Sequence, residues 1–335
     1  MGSNATDTAR LTVAVTGPTG TFGFGLMPLL QADDRVSRVV GVARRPFDPA
    51  EHGWTKLDYR RGDVRDQDAL VDAFQGADVV VHLAFLIIGG SRETTRAINV
   101  DGTLNAFRAA AAAGARRFVY ASSVAAYGFH RDNPVVMTED WPVRPADRLF
   151  YAQEKAELEH LLQAESAAHP DLALYLLRPP IVLGPHVVGA KELLPGPLAP
   201  LARRLQGRIG RLPVPVPAFI PDVPVQFIHE DDVGTALLQC VVAAGPPGAY
   251  NIAGDGVLSA VDVARELGIV PLPLPAGPTH AAARALSRLP LLPSAAEWVE
   301  AASHPAVMDT TRAKSRLGWT PRFTGLEALR DTLRR

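Results

Sequence analysis

The chain has 335 residues, 47% of them hydrophobic and 21% charged, with a formal net charge of -1. That reads as a soluble globular protein with one large core or two packed domains, and it leaves no electrostatic case for nucleic acid or an acidic membrane as partner. The one cysteine, Cys240, cannot form an internal disulfide and sits in an apolar run, so it reads as a core residue in a reducing cytoplasmic setting, and no run reaches the length of a membrane span.

Residues 1–10 read as a flexible tail. The first element is the apolar run from Leu11 to Val15, followed by Thr16-Gly17-Pro18-Thr19-Gly20-Thr21-Phe22-Gly23 and an amphipathic segment from Phe24. A buried parallel strand, three glycines and a helix form the order of a dinucleotide-binding βα unit. Gly17 turns the chain off the strand, Gly20 lets a pyrophosphate approach the backbone, and Gly23 lets the helix pack close to the sheet. The phosphates would then lie at a helix N-terminus, where free N–H groups and the helix dipole attract anions.

A second buried strand at 37–43 ends in Ala43-Arg44-Arg45. An NAD-preferring site usually carries an acid at this place, whereas arginines accommodate a 2′-phosphate, so the expected cofactor is NADP, with NAD as the alternative. A short third strand at 56–59 leads to Gly62-Asp63-Val64, near where an adenine edge would lie, and 66–74 reads as a helix. The fourth strand, 77–84, should bring Leu83 and Ala84 to the cofactor. His82 inside it reads as a core histidine with a backbone partner. The apolar run Phe85-Leu86-Ile87-Ile88 either borders a substrate pocket or is simple packing.

A helix is expected over 91–113 with Asn99 in its middle, where asparagine is a modest helix former and asks for a reason. The fifth strand, 117–121, ends in Ser122-Ser123. After a loop with three prolines, Tyr151 opens a helix running to about 166, and a sixth strand at 172–177 is closed by Arg178-Pro179-Pro180. The alternation predicts an α/β fold: a Rossmann-type doubly wound parallel sheet over 11–184. Beyond Pro185 prolines crowd 195–224, and short strands at 225–228 and 249–252 alternate with helices at 231–242 and 259–267. Further helix is expected over 281–299 and from 326. This makes 185–335 mainly a smaller C-terminal α/β substrate-binding lobe, with about 225–255 returning to the first domain.

Tyr151 and Lys155 are four apart at the start of a helix, so they share one face and can reach one substrate. A tyrosine with an ordinary pKa of about 10 is a poor base at neutral pH. Lowering it to 7 takes roughly 4 kcal/mol, which a lysine, a positive nicotinamide ring and the helix N-terminus could supply together. Ser123, with Ser122 beside it, could hold the substrate oxygen.

With these segments in this order, the sequence resembles the extended short-chain dehydrogenase/reductase family, which includes NAD-dependent epimerases and dehydratases of nucleotide sugars. The resemblance rests on Thr16 to Gly23, Gly62 to Asp66, His82-Leu83-Ala84, Asn99 to Thr103, Ser122 to Gly128, Tyr151 to Lys155, Leu177 to Pro180, Phe227 to Val233 and Leu317 to Pro321. It implies that Tyr151 is the acid/base, that Lys155 holds the ribose hydroxyls and lowers the Tyr151 pKa, and that Ser123 orients the substrate oxygen. It also implies that Asp63 and Val64 meet the adenine, that Pro180 and Ile181 lie near the nicotinamide, and that the protein is a homodimer. Two departures stand out. Val225 occupies the place where nucleotide-sugar members carry a diphosphate-gripping arginine, and Ala43 occupies that of the acid.

The expected function is therefore NAD(P)-dependent hydride transfer to or from a carbonyl or secondary alcohol of a largely apolar small-molecule substrate, with no metal. The rivals are an NAD(P)-dependent nucleotide-sugar epimerase or dehydratase, its diphosphate reached by another arginine such as Arg203, Arg204 or Arg208, and a non-catalytic NADP-sensing regulator. The intact Ser123, Tyr151 and Lys155 weigh against the last.

Overall fold

The computed structural model describes residues 10–87, 90–187, 216–274 and 306–334. Its centre is a seven-stranded sheet built from β1 (Leu11–Thr16), β2 (Val36–Ala43), β3 (Leu57–Arg61), β4 (Val79–His82), β5 (Arg117–Ala121), β6 (Ala173–Arg178) and β11 (Gly248–Asn251). The order is β11-β6-β5-β4-β1-β2-β3, with every pair parallel. The chain builds outward from β1 to β3, then returns to the other side of β1 for β4 to β6. The strand order therefore reverses between β1 and β4, and a crevice opens at their carboxyl ends.

The strands read as continuous apolar runs because both faces are covered. In β1, Val13 and Val15 join one core with α1 (Thr21–Ala32) and α6 (Glu230–Val241), which includes Leu26, Leu237 and Cys240. Ala14 between them joins the opposite core, with Leu70 and Phe74 of α2 (Gln67–Phe74), Phe107 of α4 (Gly102–Ala112) and Leu162 of α5 (Phe150–Ala168). The same alternation divides Val79 and Val81 from Val80, and Val119 from Phe118 and Tyr120. Each fully buried Val or Leu contributes on the order of 1.5–3 kcal/mol, so two such cores hold the strand ends rigidly.

The helix expected over 91–113 is not uniform. It comprises α3 (Arg92–Arg96), a π-helical turn at Ala97–Asp101 and α4. Asn99 lies in the π turn, and its amide is fully used outside the helix: Leu86 N–H donates to Oδ1 at 2.8 Å and Nδ2 donates to Leu86 O at 2.9 Å. That requirement explains an asparagine at this place.

Past β7 (Ile181–Leu183) come β8 (Val216–Pro221), β9 (Pro224–Val225) and β10 (Phe227–His229), then α6, β11, β12 (Leu258–Ser259), α7 (Ala260–Glu266), β13 (Ile269–Leu274), α8 (Thr311–Arg316) and α9 (Gly325–Leu333). The single strand expected at 225–228 is two elements, because Val225 pairs antiparallel with Leu258 while Phe227–His229 pairs with β7. Of the 225–255 stretch, β11 joins the main sheet and α6 packs against α1. The helix expected over 281–299 lies outside the described residues. No helix among the described residues is long and apolar enough to cross a membrane.

Candidate active site

The glycine turn lies at the crevice between β1 and β4. Gly17 has φ +71°, and a Cβ on it would stand 2.9 Å from Ala84 N, so the turn is seated directly on the end of β4. A Cβ on Gly23 would come within 2.2 Å of Pro18 O, which only glycine avoids. Gly20 differs: a Cβ there would make one ordinary contact, 3.5 Å from Gly17 O. Among the described residues nothing demands glycine at that place. Gly20 caps α1 without a side-chain hydrogen bond, and the first turn of α1 holds no acid. An anion therefore finds N–H groups and no acid within the turn itself, and the residues present fit a dinucleotide's phosphates.

At the far end of β2, Arg44 and Arg45 are exposed. Their carbonyls are bound by Arg61 Nε and the Tyr59 hydroxyl, which fixes the backbone and leaves the guanidiniums at the surface. Asp63 is held by Arg65 through two bonds of 3.0 and 2.7 Å, which keep its carboxyl below the usual range, with Arg44 adding to the effect from nearby. Val64 is buried against Gly102. Leu83 and Ala84 lie half-buried beside the turn, Pro180 is buried, and Ile181 is exposed at the start of β7.

The catalytic candidates converge at the end of β5. Ser123 Oγ accepts from Ala125 N at 3.2 Å and bonds the Tyr151 hydroxyl. Lys155, 3% exposed, donates from Nζ to the Tyr120 hydroxyl at 3.0 Å and to Ala121 O at 2.8 Å. Phe85 covers this corner. Its ring lies edge-on to Tyr151 at 5.7 Å, with Lys155 Nζ 3.7 Å from its centroid. Phe85 and Leu86 also pack against the core on this face of the sheet, Ile87 is 55% exposed, and Ile88 lies outside the described residues.

Burial pushes the Tyr151 phenol up to about 12, with the Ser123 bond opposing. Burial also pulls the Lys155 ammonium down to about 7, against the carboxylates of Glu159 and Glu154. Both shifts have one cause, an apolar corner that penalises whichever form is charged.

His82 is a core histidine, but its partners are hydroxyls rather than backbone. Nδ1 lies 2.8 Å from Thr16 Oγ1 and Nε2 3.1 Å from Thr103 Oγ1, whose own proton goes to Asn99 O. Since Thr103 is already donating, Nε2 must carry the ring proton and Nδ1 must accept from Thr16. Burial lowers its pKa to about 3, so the ring stays neutral.

Two buried partners escaped the sequence reading. Glu154, inside the Tyr151–Lys155 segment, is 1% exposed, accepts from Asn99 Nδ2 at 2.8 Å, and leaves Oε1 with no partner among the described residues. Glu159, one turn beyond Lys155, accepts from Ser122 Oγ at 2.5 Å and from Arg178 Nε at 2.9 Å. Arg178 continues to the Tyr127 hydroxyl at 2.7 Å, which donates to Asn251 Oδ1 at 2.8 Å. The available signal was a carboxylate on the buried face of a helix and an arginine at a strand end, where charge survives only if paired.

Val225 packs with Leu183, Phe227, Leu258, Phe323 and Leu329. Arg203, Arg204 and Arg208 lie outside the described residues.

Residues 13–253 match the NAD dependent epimerase/dehydratase family. An uncharacterized protein of Mycobacterium tuberculosis is 29% identical over 96% of this chain and 83% of its own. Sterol demethylase protein B of Methylococcus capsulatus is 31% identical over 52% of each chain. Among solved structures, MoeE5 in complex with UDP-glucuronic acid and NAD is 25% identical with TM-score 0.68, covering 96% of this chain and 98% of its own. The UDP-glucose 4-epimerase of Thermotoga maritima, at 19% identity and TM-score 0.72 over 97% and 98% of the two chains, shares the fold.

Proposed function

Because the chain belongs to the NAD-dependent epimerase/dehydratase family, we propose that it is an oxidoreductase acting on a carbonyl or secondary alcohol of a largely apolar small molecule, with Tyr151 as the acid/base. The bound nicotinamide dinucleotide supplies the hydride donor or acceptor. The turn from Gly17 to Gly23 and the N-terminus of α1 would hold its diphosphate, Asp63 and Val64 its adenine edge, and Lys155 its ribose. Arg44 and Arg45 would take a 2′-phosphate, so NADP is the proposed cofactor, and Pro180 and Ile181 would flank the nicotinamide. Ser123 orients the substrate oxygen by a hydrogen bond, and Tyr151 passes a proton to it or takes one from it.

The observation that carries this reading is the convergence of Ser123, Tyr151 and Lys155 under Phe85, beside the glycine turn. Tyr151→Phe removes one hydroxyl. It should lower turnover roughly a hundredfold or more while leaving dinucleotide affinity within about twofold. Activity surviving within a few fold would assign the acid/base role elsewhere. Titration of the native protein with NADPH and NADH tests the cofactor, since equal affinities would remove the role given to Arg44 and Arg45.

A second reading is a nucleotide-sugar epimerase or dehydratase, favoured by the likeness to MoeE5, whose structure holds UDP-glucuronic acid. Val225 in an apolar cluster, and the partial likeness to sterol demethylase protein B, support the first reading. Calorimetry against UDP-sugars separates them: a low-micromolar ligand, worth roughly 7 to 8 kcal/mol, would promote the second.

A further inference from the structure

We propose that Glu154 is a positioning residue: through Asn99 it fixes the backbone of Leu86, and so holds Phe85 against Lys155 and Tyr151. The inference deepens the function proposed above, and only the dinucleotide arm of its test rests on that reading.

β4 ends at His82, so the residues after it have no strand ladder to hold them. Leu83 N donates to Thr16 O at 3.0 Å and Ala84 N to Thr16 Oγ1 at 3.4 Å. The next anchor is the Asn99 amide, which takes both backbone groups of Leu86 at 2.8 and 2.9 Å. Phe85 thus lies between two fixed points, Thr16 on β1 and Asn99 in the π turn. Its ring is the one that meets Lys155 Nζ at 3.7 Å and Tyr151 edge-on, so a rotation of the Leu86 backbone would carry the ring away from both.

Pairing with Leu86 also fixes which way round the amide lies. Oδ1 must face the N–H and Nδ2 the carbonyl, which uses one of the two Nδ2 protons. Asn99 is 0% exposed, so the second proton has no water to go to and needs an acceptor. Glu154 Oε2 supplies it at 2.8 Å. Without that oxygen the amide would keep a buried donor unpaired, and turning to satisfy it would release Leu86. Glu154 reaches this place because it lies three residues after Tyr151 and one before Lys155 on α5. One helix therefore carries both site residues and the acceptor that sets their cover.

The role needs an acceptor and not a charge. An ionised carboxylate, a protonated carboxyl and an amide all present an oxygen to Nδ2. A carboxyl is otherwise a costly choice for a residue 1% exposed, and packing alone would be served by an apolar side chain. Among the described residues the bond to Asn99 is the one hydrogen bond this carboxyl makes, since Oε1 has no partner there.

The test places para-fluorophenylalanine at position 85 and reads its fluorine NMR resonance in the full, unliganded chain. Wild type, E154Q, E154L and E154M are compared, each checked by thermal melt, and calorimetry with NADPH follows on the same proteins. E154Q keeps an acceptor, so its resonance and its NADPH affinity should match wild type. E154L and E154M keep the bulk and lose the acceptor. Their resonance should shift or broaden, and NADPH should bind about three- to tenfold more weakly, the scale of one hydrogen bond. Two apolar variants of different shape guard against one of them failing to fold. A folded E154L or E154M with the wild-type resonance, or E154Q displaced like them, would overturn the role of Glu154. A displaced resonance with unchanged NADPH affinity would confine Glu154 to the fold and overturn it equally. A wild-type protein that binds no NADPH would overturn the dinucleotide reading, while the resonance still decides whether Glu154 holds Phe85.

Discussion

Lys155 and Arg178 are equally buried basic side chains, at 3% and 2% exposure, yet their surroundings treat them in opposite ways. Arg178 meets the Glu159 carboxylate through Nε and its terminal nitrogen and the Tyr127 hydroxyl through the other, so its charge is fully matched and its pKa is raised. Among the described residues Lys155 is bonded to the neutral Tyr120 hydroxyl and Ala121 carbonyl, with a phenyl ring over it, and its ammonium is pulled down to about 7. Burial alone therefore says nothing about role. The saturated cation braces the end of β5 and β6, whereas the under-paired one keeps donor capacity that a ligand's hydroxyls could use.

The strongest way to break this contrast is at Glu159. Glu159→Ala strands the Arg178 guanidinium in the core and leaves Ser122 without its acceptor, so unfolding free energy should fall by about 3–5 kcal/mol in denaturant melts. A loss below 1 kcal/mol would mean that Arg178 is not held as argued.

Lys155→Met should act in the other direction. It should stabilise the unliganded protein by on the order of 1 to 4 kcal/mol, because it removes a charge that burial penalises, while weakening dinucleotide binding. The native lysine loses its proton near pH 7 and the unfolded one near 10.5. Between those values the unfolded chain binds more protons, so wild-type stability rises with pH across that window. The gain from Lys155→Met should accordingly be full below pH 7 and vanish toward pH 10.5. A gain independent of pH would show that packing, not charge, is responsible.

The smallest effect is expected at Glu154, whose Oε1 is buried without a partner among the described residues and whose pKa burial pushes up. Glu154→Gln keeps an acceptor for Asn99 and removes the charge, so stability at pH 7 should change by less than about 1 kcal/mol. A larger loss would reveal a partner for Oε1 and make this carboxylate part of the saturated network.

Much of the architecture is local and so legible in the chain. Continuous apolar strands announce a sheet covered on both faces, and the glycines at 17, 20 and 23 announce a turn that something must approach, because φ and the space for a Cβ are properties of single residues. Tyr151 and Lys155 were readable from a spacing of four, since helix geometry fixes which residues share a face. The division of 225–228 into β9 and β10 was not, because pairing partners at 258 and 181 lie far off in sequence.

What the sequence by itself determined is the order of elements, the glycine turn and the identity of the groups at the end of β5, all set by short-range sterics and periodicity. Only the tertiary structure decided how those groups are charged and to whom they are bonded. The phenol pushed up to about 12, the ammonium pulled down to about 7, and the Glu154 carboxyl that meets Asn99 across 55 positions each depend on how much water folding removes and on which distant dipole replaces it. That is a long-range property of the packed chain, and no local pattern encodes it.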